Sequence, residues 1–178
     1  MRALVLLLLA AAACTTDDAV AAGDYTMTVT NRENACNFGN WTVGAAASAT
    51  ATLTQNSDDV TASVTGLGAL LLEASVGGHV FTGKIDGGSM TLTLIGTRSN
   101  TMGGCTYTVN AEIDARLRGD ILVGALNYRT ATDGSAACDA ISTCLSSQDL
   151  TGTRPHMVYN SVTREPRVSA PSAPPTAR

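Results

Sequence analysis

The chain is 178 residues long, 44% apolar and 15% charged, with a formal net charge of -4. That length suits a single domain, the composition is too apolar for a disordered chain, and the charge has the wrong sign for gripping phosphate backbones, so no nucleic-acid partner is expected. Two histidines and the lone lysine Lys84 leave little material for acid–base catalysis, a metal centre or a cofactor site, and none of these is expected.

At the N-terminus, Met1 and Arg2 precede an unbroken apolar run from Ala3 to Ala13, followed by Cys14. A bilayer-spanning helix needs about 20 apolar residues, so this run is too short to cross and reads as an export signal over residues 1–13. Ala12-Ala13-Cys14 resembles the lipobox of bacterial lipoproteins, which implies that the Cys14 thiol carries a diacylglyceryl group and that the membrane is a partner through it. An ordinary secretory signal cleaved after Ala11-x-Ala13 is the alternative. Cysteine counting favours the lipid: the chain has five cysteines, and consuming Cys14 leaves an even number for an oxidising compartment. Thr15 follows the cysteine where inner-membrane lipoproteins commonly carry Asp, so the resemblance implies the outer membrane of a bacterial envelope. The small polar stretch 14–23 reads as anchor and flexible tether.

Residues 24–155 form the expected folded body, and their apolar period is two. Tyr25, Met27 and Val29 alternate with threonines; Tyr107, Val109, Ala111, Ile113, Ala115 and Leu117 alternate with polar residues. The same alternation predicts strands over 49–55, 60–66, 69–75, 79–85, 89–97 and 120–130, with a last short one around 148–152. No window predicts an amphipathic helix. Tight turns are expected at Asn56 to Asp59, Gly77-Gly78, Gly87-Gly88 and Arg118 to Asp120. Successive hairpins give an all-β antiparallel meander of eight or nine strands, and a sheet that long removes its exposed edges by closing, so an up-and-down β-barrel is expected. A two-sheet sandwich is the competing arrangement. Pro166, Pro171, Pro174 and Pro175 fall in 156–178, which reads as a disordered tail.

Cys36, Cys105, Cys138 and Cys144 are read as disulfide cysteines, with three possible pairings. Cys138 with Cys144 is favoured because both lie in one loop after the strand ending near Thr130, which leaves Cys36 with Cys105. A four-cysteine zinc site lacks the short Cys-x-x-Cys spacing it would need. No catalytic residue is assigned: Gly-x-Ser-x-Gly and His-Glu-x-x-His are both absent, and His79 after a Gly-Gly turn fits an exposed strand end. The alternating Glu112, Asp114, Arg116 and Arg118 read as a solvated strand face.

Phe38, Gly39 and Trp41 concentrate aromatic character beside Cys36 in a chain that is only 4% aromatic, and form a candidate ligand or packing cluster. Gly39-Asn40-Trp41 resembles the Gly-x-Trp of lipocalins, which implies that the tryptophan plugs the closed barrel end beneath an arginine of the last strand; Arg154 stands at the matching place. Asn31 with Cys36, Asn40 to Thr42, Cys138 with Cys144 and Gly152 to Pro155, spread over Tyr25 to Pro155, resemble small lipoproteins of myxobacteria and their relatives, with a lipocalin- or avidin-like meander as body. This resemblance implies a fold and an address but carries no functional residue. The function expected is a monomeric, non-catalytic binding module for a small apolar ligand or envelope component. The alternatives are a lipid-anchored inhibitor of a secreted lysozyme or protease acting through the loop 131–147, and a passive structural protein of the envelope.

Overall fold

A computed structural model describes residues 19–155. The N-terminal run with Cys14 and the tail 156–178, and the expectations attached to them, lie outside the described residues. The strands are β1 (Gly23–Asn34), β2 (Ala46–Asn56), β3 (Asp59–Thr65), β4 (Val80–Asp86), β5 (Ser89–Leu94), β6 (Asn100–Met102), β7 (Cys105–Arg118), β8 (Ile121–Thr132) and β9 (Leu145–Thr153), with one helix, α1 (Gly66–Ser75), between β3 and β4.

All pairings are antiparallel. β1 bonds to β2 on one side and β9 on the other, and β5 bonds across to β7, which closes the ring. β6 pairs with the first residues of β7 and lies outside that ring, so eight of the nine strands make a closed up-and-down barrel. Alternation puts one face of each strand inside. Ala51 and Leu53 of β2 are buried while Thr50, Thr52 and Thr54 face water; Phe81, Met90, Leu92, Ala111 and Leu122 meet in the core. Threonine tolerates both the extended backbone and the solvent, which is why it fills the outer face.

The turns Asn56/Asp59, Asp86/Ser89 and Arg118/Ile121 all fall at one end, the closed end, together with the start of β1 and the finish of β9. The opposite end, the mouth, carries α1 and the longer connections.

The segment 69–75, expected as a strand, is helical instead. Ala69-Leu70-Leu71-Leu72 is a continuous apolar run with no polar alternation and no β-branched residue, a composition that favours helix. Consequently Gly77 and Gly78 join α1 to β4 and do not form a strand-to-strand hairpin. The expected strand 89–97 stops at Leu94, and the alternation gives no sign of the short β6.

Candidate functional site: the barrel cavity and its mouth

The barrel is not filled throughout. A cavity of about 190 Å³ runs from its middle toward the mouth. Its deep wall includes Met27, Phe81, Met90, Leu92, Ile113 and Leu150, and toward the mouth the β2 side is lined by Ala47, Ala49 and Ala51. Small side chains on β2 leave the space that larger residues would occupy. α1 stands beside that wall, with Leu67, Gly68, Leu71, Leu72 and Ser75 facing the cavity. Gly68 permits the close approach: a Cβ there would lie 3.0 Å from Ala49 Cβ and 3.1 Å from Val64 Cγ1. Leu72 and Val76 are buried and hold the helix, and Gly77 follows in a left-handed conformation typical of helix ends.

Among the described residues no charged side chain lines the cavity, and its polar groups include Tyr128 and Gln148. Tyr128 Oη donates to Gln148 Oε1 at 3.1 Å, Gln148 Nε2 donates to Asn31 Oδ1 at 2.7 Å, and Asn31 Nδ2 donates to the Thr42 carbonyl at 3.2 Å. This relay ties β8, β9, β1 and the loop 35–45 into one wall. Burial raises the Tyr128 phenol well above its ordinary value, so it stays neutral.

Phe38, Trp41 and Tyr128 form an aromatic triangle, with Phe38 and Trp41 centroids 5.7 and 6.1 Å from Tyr128 in edge-on geometry. Trp41 Nε1 donates to the Arg32 carbonyl at 3.1 Å, and Asn34 Oδ1 accepts from Phe38 N at 2.8 Å. Of the triangle, only Tyr128 reaches the cavity; Phe38 and Trp41 buttress it from behind, and a Cβ at Gly39 would meet nothing within 4 Å. This gives Phe38 and Trp41 the geometry of a packing cluster.

Arg154 is not with Trp41. It lies at the closed end, where Nε and Nη2 donate to Asp120 Oδ1 at 3.0 and 2.9 Å, Nη1 donates to the Ala22 carbonyl at 2.6 Å, and the guanidinium stacks 5.8 Å from the Tyr25 ring centroid. An arginine directly after the last strand therefore does cover an aromatic plug, but the plug is Tyr25 of β1; Trp41 follows β1 and is carried to the mouth. Tyr25 Oη donates to the Ala21 carbonyl at 3.0 Å, and burial raises its pKa. Gly23, at φ 145°, leaves the room Arg154 needs: a Cβ would sit 2.5 Å from Arg154 Cδ. Residues 19–22, within the stretch read as a tether, are held there, with Ala21 N donating to Gln55 Oε1 at 2.6 Å.

The expected cysteine pairing is corrected. Cys36 bonds Cys144, and Cys105 bonds Cys138. Register explains the first: β1 and β9 pair Asn34 with Ser146, and two steps further along the same antiparallel line Cys36 meets Cys144. A short 3₁₀ turn, Ala136–Cys138, folds the loop back so that Cys138 reaches the start of β7. Cys105, Cys138 and Asp133 come within 4.8 Å of one another, but with the two sulfurs bonded together only one carboxylate is left to hold a metal. Asp133 instead caps the loop: the Ser135 backbone N–H donates to it and lowers its pKa.

His79 pairs with Glu73 of α1 on the surface, and Asp114 accepts from Thr91 and Asn127 on the outer face. No family model, no curated protein and no solved structure matches this chain. The closed eight-stranded antiparallel barrel is the architecture of lipocalin- and avidin-like proteins and is consistent with a ligand-binding module.

Proposed function

We propose that this protein is a monomeric, non-catalytic lipoprotein of the bacterial envelope that holds a small apolar ligand inside its barrel. The observation that carries this reading is the apolar cavity of about 190 Å³, open at the mouth. An apolar cavity of roughly 150 Å³ stays dry and takes up benzene, so this space has the size to bind hydrocarbon. A pocket for a drug-sized molecule would need about 300 Å³ or more, which argues for a small ligand or part of a larger one.

The anchor and the mouth fit together geometrically. Ala19 sits at the closed end against Gln55, and the five chain steps from Cys14 to Ala19 reach no more than about 18 Å. A strand the length of β1, 12 residues, spans about 30 Å even when tilted. A lipid on Cys14 would hold the closed end to its membrane and turn the mouth away.

Two experiments test the reading. Organic extraction of the purified full chain followed by mass spectrometry should yield an apolar molecule, and Ala51→Leu, which fills the β2 wall, should lower its amount at least tenfold while the barrel still folds. An equal yield from the variant would place the molecule elsewhere. Cys14→Ala should move the protein from the membrane to the soluble fraction; unchanged fractionation would overturn the lipid anchor.

A second reading, inhibition of a secreted lysozyme or protease, is favoured by one feature. Both disulfides pin the loop 133–144 at the mouth, and a preorganised loop binds at lower entropic cost. Inhibition of such a hydrolase, abolished by reduction, would support it.

A further inference from the structure

We infer that the ligand is a single-chain amphiphile that enters tail first, with its alkyl chain in the cavity and its polar head left in water beside α1. This rests on the apolar-cavity reading above and goes beyond it by fixing the ligand class and its direction.

The entrance is marked by side chains that belong to the cavity and to the surface at once. Leu67 and Leu71 line the cavity yet are 70% and 60% exposed, and Ala47 and Ser48 at the start of β2 are exposed opposite them. A leucine left in water costs free energy unless something apolar covers it, and an alkyl chain leaving the cavity between α1 and β2 would do so.

The interior then excludes a polar group at depth. Tyr128 and Gln148 are already committed to each other and to Asn31, and among the described residues no buried side-chain nitrogen or oxygen is left unpartnered. A carboxylate or hydroxyl pushed to the deep wall of Phe81, Met90 and Leu92 would lose its water and find no replacement. The head must therefore stay at the entrance. There, the ionisable side chains that α1 and its flank supply, Glu73 and His79, are hydrogen-bonded to each other at 2.6 Å. The entrance thus offers no strong selection for head charge, and the chain supplies the affinity. By comparison with a benzene-sized cavity, the space takes on the order of eight carbons.

Calorimetric titration of the purified full chain near pH 7 with 1-octanol, octanoate, octanedioate and toluene tests this. Octanol and octanoate should bind within about fivefold of each other, because an exposed head contributes little. Octanedioate should bind at least about 100-fold more weakly, since its second ionised carboxylate would have to enter the barrel. From hexanol to octanol, affinity should rise about fourfold per methylene. Octanedioate binding within tenfold of octanoate overturns the inference, as does toluene binding without octanol, which leaves the cavity apolar but not built for a chain. If none of the four binds, the apolar-cavity reading falls with it.

Discussion

At the closed end, short hairpin turns bring the strands round, and one guanidinium gathers the N-terminal segment, the turn after β7 and the Tyr25 plug. At the mouth, the same strands are joined by loops and a helix, and two disulfides, an aromatic triangle and a side-chain relay hold them. Ladder hydrogen bonds and tight turns fix backbone geometry cheaply, so one end needs little beyond them. The other gives up tight turns to leave an entrance, and its loops must be ordered by covalent links and side-chain packing.

The largest expected effect separates the two ends through the disulfides. By loop-closure entropy, releasing Cys36–Cys144, with a separation of 108, costs about 5 kcal/mol, and releasing Cys105–Cys138, with a separation of 33, costs about 4 kcal/mol. Urea unfolding of the Cys36→Ser/Cys144→Ser and Cys105→Ser/Cys138→Ser variants checks this, with the first having the lower midpoint. The reverse order would mean that the loop 133–144 carries more of the mouth than β1 and β9 do.

Next comes the closed end. Arg154 has a side chain only 23% exposed, and Arg154→Ala removes bonds to Asp120 and Ala22 together with the stack on Tyr25. A loss of about 2 to 4 kcal/mol is expected, and Arg154→Lys should restore little of it, because an ammonium cannot reproduce the planar fork. Ligand affinity should not change in either variant. A parallel loss of binding would show that the ends are coupled through the barrel wall.

Alkaline titration compares two phenols, one at each end: Tyr25, buried, and Tyr128, partly buried. Burial raises the pKa of both Tyr25 and Tyr128, and the effect is larger at Tyr128. The native state therefore holds its phenolic protons to higher pH than the unfolded chain. This stabilisation is complete below the unfolded phenol value of about 10 and is lost as pH rises toward the folded values. Stability should be flat across neutral pH and fall above about pH 10. Tyr128→Phe should remove more of that dependence than Tyr25→Phe, as followed by thermal melts at several pH values.

The barrel was legible because strict alternation, as in Tyr25 to Thr30 and Tyr107 to Leu117, leaves a chain no other way to bury one face, and the turn residues fixed the hairpins. α1 was not, because a leucine run of that length carries no period of its own and only its lack of β-branched residues separated it from a strand. The disulfide pairing was hidden for a different reason. It depends on which strands become neighbours when the ring closes, and β1 beside β9 is a fact of topology that loop membership of Cys138 and Cys144 does not contain. The arginine over an aromatic plug was present in the sequence, but three residues around Trp41 pointed to the wrong aromatic. Tyr25, on the strand adjoining β9, was the better candidate once a strand was seen to precede Trp41.

The smallest effect is expected on α1 itself, and it sharpens what the mouth is for. Leu70 is 62% exposed and does not line the cavity, whereas Leu72, two residues on, is buried in the core. Leu70→Ser should change stability by no more than about 0.5 kcal/mol, because its side chain buries little apolar surface and a surface helix tolerates the exchange. It should also leave octanol affinity unchanged. Leu71→Ser removes a side chain that faces the cavity and the water together, so it should likewise spare stability but weaken octanol binding several-fold, in proportion to the alkyl surface it no longer covers. Neighbouring leucines of nearly equal exposure and equal structural weight would then differ only in ligand affinity, a difference that a merely structural helix at the barrel rim could not produce.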